Sequence, residues 1–153
     1  MFGISDLTGW LNLIHVVAAI GWVGGSLLLQ FHGARMANAD AARRLHFAQD
    51  SHAAGRFFSV MGIVTLVAGV WLVLRVDAWE FSQTWITLGF TGVAVGVVLG
   101  MGYYGPKGRQ LIAQIESGDA GAGVTARQIG LVSMAETVIL LVVVWAMVFK
   151  PGV

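Results

Sequence analysis

The sequence contains no cysteine and unusually few charged side chains. The absence of cysteine excludes disulfides, thiolate metal sites, iron–sulfur clusters and cysteine nucleophiles. Charged residues make up 11% of the 153 residues, against roughly 25% in a typical soluble domain. The net charge of +1 provides no strong basic field, so we predict no nucleic-acid partner. These absences argue against an ordinary soluble globule and favour a membrane protein.

Several catalytic motifs are missing as well. The chain contains no P-loop, no HExxH and no GxSxG motif. No connection between its apolar blocks is long enough to form a soluble catalytic domain. Any chemistry is therefore expected inside a helix bundle or on a bound cofactor.

Four long apolar blocks dominate the chain and predict its fold. A membrane-spanning helix needs about 20 mainly apolar residues, and its backbone hydrogen bonds must close within the span. We therefore predict an all-α, polytopic membrane protein whose single domain, residues 1–153, is an up-and-down bundle of four transmembrane helices. The predicted spans are about 8–31, 57–74, 84–104 and 128–149.

Two of the predicted connections are long enough to hold structure of their own. Residues 39–55 are expected to form a short polar helix, and residues 52–58 could extend the second span. The third connection is expected to begin with a break at Gly105 and Pro106. It should continue as a short helix to Ile115 and end in a glycine-rich turn over 118–123.

The basic residues are distributed unevenly and predict an orientation. Seven of the nine lysine and arginine residues lie in the first and third connections. Because cytoplasmic loops carry an excess of lysine and arginine, we expect those connections in the cytoplasm and both termini outside it. Five of the six tryptophans fall toward the predicted outer face, as in an aromatic belt at the lipid bilayer surface.

His15 is the first of two ionisable residues that fall inside the predicted spans. At 3.6 residues per turn, it shares a helix face with Thr8, Asn12, Ala19, Trp22 and Ser26. That face, with Trp22 as its one large side chain, could receive a flat cofactor with the His15 imidazole as a metal ligand. Neutral imidazole is a common ligand of haem iron and copper. The alternative is a neutral histidine that holds two helices together.

Glu136 is the second, near the middle of the fourth span. A carboxylate is costly there, so we expect it to have a partner. Arg56 is the candidate, because an arginine side chain can reach between different depths. The two residues could instead belong to a cofactor or ligand pocket, or Glu136 could relay protons. A direct contact with His15 is not expected, since the axial separation is on the order of 10 Å.

Three further histidines, His32, His46 and His52, lie in or beside the first connection. Met36 and Met61 are near them in the sequence. Because thioether and imidazole groups suit copper, these residues could form a loose copper-binding patch. Separate, solvated histidines are the alternative.

Glycines recur every four residues in two of the spans. Gly92, Gly96 and Gly100 do so in the third span, and Gly21 and Gly25 in the first. Such faces allow helix backbones to approach closely. They could pack inside one bundle, form the seam of a homo-oligomer or a larger membrane complex, or leave room for a flat macrocycle.

The first span and the end of the chain resemble known membrane protein families. The segment HVVAAIGWVGGSLLLQ, residues 15–30, resembles the first helix of CopD-like and HemJ-like membrane proteins. The segment WAMVFKPG, residues 145–152, is similar to the MVxKPG ending of an uncharacterised four-helix bacterial integral membrane family. The resemblance implies a multi-pass protein of the bacterial plasma (inner) membrane. HemJ-like proteins oxidise protoporphyrinogen and are similar to haem-b proteins, and their proposed histidine ligand falls on His15. CopD-like proteins are linked to copper uptake.

Three functions are compatible with these features. The chain could bind haem b through His15 for redox chemistry or electron transfer, with a methionine as second axial ligand. It could be a small proton-coupled or copper-related transporter in which Glu136 titrates. It could also be an accessory subunit that docks through its glycine faces. We favour the cofactor-binding function.

Overall fold

The computed structural model describes residues 6–152, and this part of the chain folds into five α-helices without a strand. They are α1 (Leu7–Arg35), α2 (Ala41–Arg75), α3 (Thr84–Leu99), α4 (Gly105–Glu116) and α5 (Ala122–Phe149). A 3-10 turn at Met36–Asn38 follows α1, and a π-helical turn at Gly100–Tyr104 joins α3 to α4.

Four helical stretches of the described chain are long and apolar enough to span a membrane. They are Leu7–Asn38, Ala41–Arg75, Thr84–Glu116 and Ala122–Phe149. Each contains one of the predicted spans, so the predicted all-α, four-span fold is confirmed. The arrangement is compatible with a multi-pass membrane protein.

The four long stretches run alternately up and down. Helix α1 packs mainly against α2 and helix α3 mainly against α5, which gives two helix pairs, and α4 packs against both α2 and α5. The start of α1, the connection 76–83 and the end of α5 lie at one end of the bundle. We call this the tryptophan end, after Trp79 and Trp85. The turn after α1, the start of α2, α4 and the start of α5 lie at the opposite end, which we call the arginine end.

The polar segment before the second span is not a separate helix. Helix α2 runs unbroken for 35 residues from Ala41 to Arg75. The predicted helical extension over 52–58 is confirmed. The prediction that residues 39–55 form a separate short helix is wrong. The segment contains no proline, and its alanines favour helix. Its polar side chains therefore lengthen the helix at the arginine end.

The predicted break at Gly105 and Pro106 is also wrong. The π-helical turn carries the chain past the proline, since the backbone N–H of Gly105 donates to the carbonyl of Gly100. Pro106 then lies in the first turn of α4, a position where proline is well tolerated. The short helix predicted to end near Ile115 is confirmed as α4. The turn that follows has Gly118 at φ +69°, a conformation that glycine adopts without strain.

The N-terminus of α2 provides a pH-dependent contact. The Asp40 side chain accepts a hydrogen bond from the backbone N–H of Arg43 at 2.8 Å. This bond, helped by the nearby Arg43 guanidinium, holds the pKa of the exposed Asp40 carboxyl below its ordinary value. Because folding lowers this pKa, the contact stabilises α2 above the ordinary aspartate range. The stabilisation is lost as the pH falls through the lowered value.

We therefore expect the Arg43 amide to lose protection from hydrogen exchange on acidification. Asp40→Asn is the matched control, because asparagine caps helices equally well and does not titrate. The protection of the natural chain relative to Asp40→Asn should fall at acid pH. A constant ratio from neutral to strongly acid pH would contradict the assignment.

Candidate functional site

A large cavity lies between the two helix pairs, in the half of the bundle near the tryptophan end. Its volume is about 1070 Å³, just above the range of about 300–1,000 Å³ for ligand pockets. α1 and α2 form one wall, and α3 and α5 form the other. Besides its tryptophans, its polar lining residues are Thr8, Asn12, His15, Thr65 and Lys150. The cavity therefore suits a large and mainly apolar ligand.

The cavity is open on the side between α1 and α5. Ile20 on α1 and Val148 on α5 both line it, yet they are 65% and 69% exposed. In a membrane this side faces lipid, since the exposed residues around the opening are apolar. An apolar ligand can therefore enter from the bilayer.

His15 lies on the cavity wall and joins α1 to α2. Its Nδ1 is 2.8 Å from the backbone carbonyl oxygen of Thr65. A carbonyl oxygen can only accept, so Nδ1 is the donor, and in the neutral ring Nε2 keeps its lone pair. Gly69 permits this approach, because a Cβ there would lie 3.1 Å from His15 Cε1.

This geometry combines the two alternatives that the sequence left open for His15. The contact between helices is present, and Nε2 remains a possible metal ligand. Histidines that bind metals almost always donate their other ring N–H to a carboxylate, a backbone carbonyl or water. The Thr65 carbonyl is a partner of this kind, and no pattern in the sequence indicates it.

The helix face predicted around His15 is largely the face that lines the cavity. Thr8, Asn12, Ala19 and Trp22 all line it, whereas Ser26 does not. The Trp22 indole forms the floor of the cavity, where it is wedged between two glycines. A Cβ on Gly62 would lie 3.3 Å from Trp22 Cζ3, and one on Gly96 would lie 2.7 Å from Cη2.

Glu136 lies beyond this floor and does not line the cavity. It is 8% exposed, and its Oε2 accepts a hydrogen bond from the Tyr104 hydroxyl at 2.6 Å. The predicted ion pair between Glu136 and Arg56 is not formed. The one ion pair within the described residues joins Arg43 to Asp40, and Arg56 lies on an exposed face of α2. Tyr104 is the partner because it comes from a helix packed next to α5.

The π-helical turn Gly100–Tyr104 positions the Tyr104 hydroxyl. One extra residue in a helical turn rotates every later side chain by about 100°. Single π-helical turns are frequent at functional sites. Residues 100–105 also have the glycine spacing GxGxxG, but a dinucleotide motif follows a strand and opens a helix. Here the glycines lie inside a continuous helical stretch.

Gln30 joins α1 to α5 on the side of Glu136 that faces the arginine end. Its Nε2 donates to the carbonyl oxygen of Ser133 at 3.1 Å and to the Ser133 hydroxyl at 3.3 Å. It also contacts the Thr137 hydroxyl. These bonds hold α1 against α5, so the gap between the helix pairs is confined to the half near the tryptophan end.

Most of the glycines predicted to form close contacts are covered within the chain. A Cβ on Gly92 would lie 2.5 Å from Val143 Cγ2, and Gly96 meets Trp22. In the first span, a Cβ on Gly21 would lie 3.2 Å from the Met61 sulfur. Gly100 is different, because it is exposed and a Cβ there would meet nothing within 4 Å. Packing inside the bundle therefore accounts for Gly92 and Gly96.

The three histidines near the arginine end do not form a metal site. No group of three or more His, Cys, Asp or Glu side chains in residues 6–152 is arranged to hold a metal ion. His52 packs against Gly108 of α4, and the His32 ring lies edge-on to Phe31. His46 is exposed. The structure thus does not bring the three histidines of the expected copper patch together in one group.

Comparisons with protein families, with characterised proteins and with solved structures give no match to this chain. The evidence for its function therefore comes from the cavity and the side chains around it. His15, the candidate ligand predicted from the sequence, lies on the wall of that cavity.

Proposed function

We propose that the protein binds haem b in the cavity, with His15 Nε2 as a ligand of the iron. The observation that carries this proposal is the hydrogen bond from His15 Nδ1 to the Thr65 carbonyl. That bond fixes the tautomer in which Nε2 is free, and it fixes the orientation of the ring. The resemblance of residues 15–30 to the first helix of CopD-like and HemJ-like proteins points to the same histidine.

The chemistry of the cavity lining fits a macrocycle. Apolar side chains from α1, α2, α3 and α5 would cover its faces and exclude water. Gly69 and Gly89 add no side-chain bulk to the two walls, and Trp22 offers an aromatic floor. Met147 is the one methionine among the described lining residues and would be the candidate for a second ligand of the iron. When bound, haem would supply one-electron redox chemistry, and the residues that ligate its iron would tune the reduction potential.

The position of Glu136 favours this function over a proton-coupled carrier. Glu136 is outside the cavity and already accepts a hydrogen bond from Tyr104. No carboxylate of the described residues lines the cavity itself. The cavity therefore offers a histidine ligand and an apolar lining, which are the features of a cofactor site.

The test is the absorption spectrum of the protein, purified in detergent from haem-replete cells. The natural chain should show a Soret band and, after reduction with dithionite, sharp α and β bands. His15→Ala should lose these bands almost completely, because it removes the iron ligand. His46→Ala is the matched control, since His46 is exposed on the polar part of α2, and it should keep the full spectrum.

Two results would contradict the proposal. One is a natural chain that shows no Soret band even after reconstitution with haem. The other is a His15→Ala variant with the same haem content and the same reduced bands as the natural chain.

A further inference from the structure

We infer that the tryptophan end of the cavity is a carboxylate-binding subsite in which Lys150 anchors the acidic group of an apolar ligand. The identity of the occupant rests on the proposed function, because haem b carries two propionates. A fatty acid has the same chemistry, an apolar body with a carboxylate at one end. In either ligand, Lys150 would bind the carboxylate.

Lys150 is a cation at the end of an apolar cavity, and residues 6–152 supply it with no anionic partner. It lines the cavity directly after the last residue of α5. In the described part of the chain, no carboxylate lies within 4.0 Å of its ammonium group and no acceptor bonds to it. An ammonium group has three donors, so it can bind an anion that enters the cavity.

Two tryptophans hold the ammonium at this position. Its Nζ lies 4.7 Å from the centre of the Trp79 ring and 5.1 Å from that of Trp85. These cation–π contacts favour the charged group but leave its charge uncompensated. The two rings also pack edge to face, with their centres 5.1 Å apart, and this contact fixes their positions.

Trp85 supplies a second donor without a partner. It is 4% exposed, and its indole N–H has no hydrogen-bond acceptor among the described residues. Buried indole N–H groups usually have a partner, and Trp85 lines the same cavity. One carboxylate has two oxygens, so it could satisfy both the indole and the ammonium.

The backbone of Lys150 has a left-handed conformation that is unusual for a residue other than glycine. Lys150 has φ +46° and ψ +60° at the C-terminus of α5. Glycine is the usual residue in this left-handed position, because other residues cost free energy there. Such strained positions are common at ligand-binding sites, and here the lysine side chain lies on two tryptophan rings.

The spacing of the two polar groups matches the shape of such a ligand. His15 lies about two turns into α1, on the order of 12 Å from the start of the helix. Lys150 lies at the corresponding end of α5. A ligand bound at His15 can therefore keep its apolar body between the helix pairs while its acidic edge reaches Lys150.

The test separates this subsite from iron binding by using a macrocycle without iron. Protoporphyrin IX and its dimethyl ester are each titrated into the detergent-solubilised protein, and binding is followed by quenching of tryptophan fluorescence. We expect Lys150→Met to weaken binding of the free acid about tenfold and to leave binding of the ester unchanged. Lys150→Arg should retain tight binding of the acid. Lys107→Met is the matched control, because Lys107 is the one other lysine and lies at the arginine end.

A second pair of probes, oleate and oleyl alcohol, identifies the source of the carboxylate. Binding of oleate that needs Lys150, without binding of either porphyrin and without a Soret band in the natural chain, would support the subsite and overturn haem as its occupant. Equal affinities for acid and neutral probes in the natural chain and in both Lys150 variants would overturn the subsite. In that case a Soret band that depends on His15 would still support the proposed function. Failure of both acids to bind would overturn the subsite as well.

Discussion

Replacing Gly96 with leucine should lower the free energy of unfolding by roughly 3 kcal/mol, the cost of severe overpacking. Gly96 is the point where α3 meets the Trp22 indole, and the first atom of a side chain there would already lie 2.7 Å from Trp22 Cη2. The indole cannot move away easily, because Gly62 of α2 lies against it. The two helix pairs would therefore have to separate.

Gly100→Leu is a matched control in the same glycine series. Gly100 lies one helical turn later, where a Cβ would meet nothing within 4 Å. Thermal unfolding in one detergent should show a large decrease of Tm for Gly96→Leu and a small change for Gly100→Leu. Equal decreases would mean that a general loss of close packing, and not the contact with Trp22, sets the stability. A loss of oligomers from Gly100→Leu alone would indicate that this exposed glycine contacts another chain.

Tyr104→Phe should cost about 2 kcal/mol of stability, because it leaves a buried carboxylate without its donor. The Tyr104 hydroxyl is the one donor to Glu136 among the described residues. The substitution removes a single oxygen and keeps the aromatic ring, so the packing of the π-helical turn is unchanged. The loss therefore measures the unsatisfied carboxylate.

Tyr103→Phe provides the comparison for this second prediction. The Tyr103 hydroxyl makes no hydrogen bond within the described chain, so its removal should change stability by less than about 0.5 kcal/mol. The cost of Tyr104→Phe should also disappear in a Glu136→Met background, where no carboxylate remains to be satisfied. A cost that persists in that background would assign the effect to the tyrosine alone.

The sequence predicted the helices well because their determinants are local. A block of about 20 apolar residues is enough to indicate a span, and helical periodicity placed Trp22 on the same face as His15. Errors occurred where a local signal was misleading. Pro106 suggested a break, but the π-helical turn before it continues the helix, and Pro106 lies in the first turn of α4.

The contacts between helices could not be predicted in the same way. The Thr65 carbonyl is a backbone group, so no residue type indicates that it binds His15. Tyr104 reaches Glu136 only because the π-helical turn changes the register of the helix. The position of Lys150 at the cavity depends on how α5 packs, so no pattern in the sequence indicates it.

A ligand that enters the cavity through its opening between α1 and α5 would come from the lipid, so its concentration in the lipid would set the occupancy of the site. An apolar ligand dissolves in the bilayer, so occupancy follows its mole fraction among the lipids and not its aqueous concentration. A weak site can then be filled when the ligand is scarce in water. In detergent, the same site should empty as micelles are added at a constant amount of ligand. Affinities for this protein are therefore best expressed as ligand per lipid or per detergent molecule.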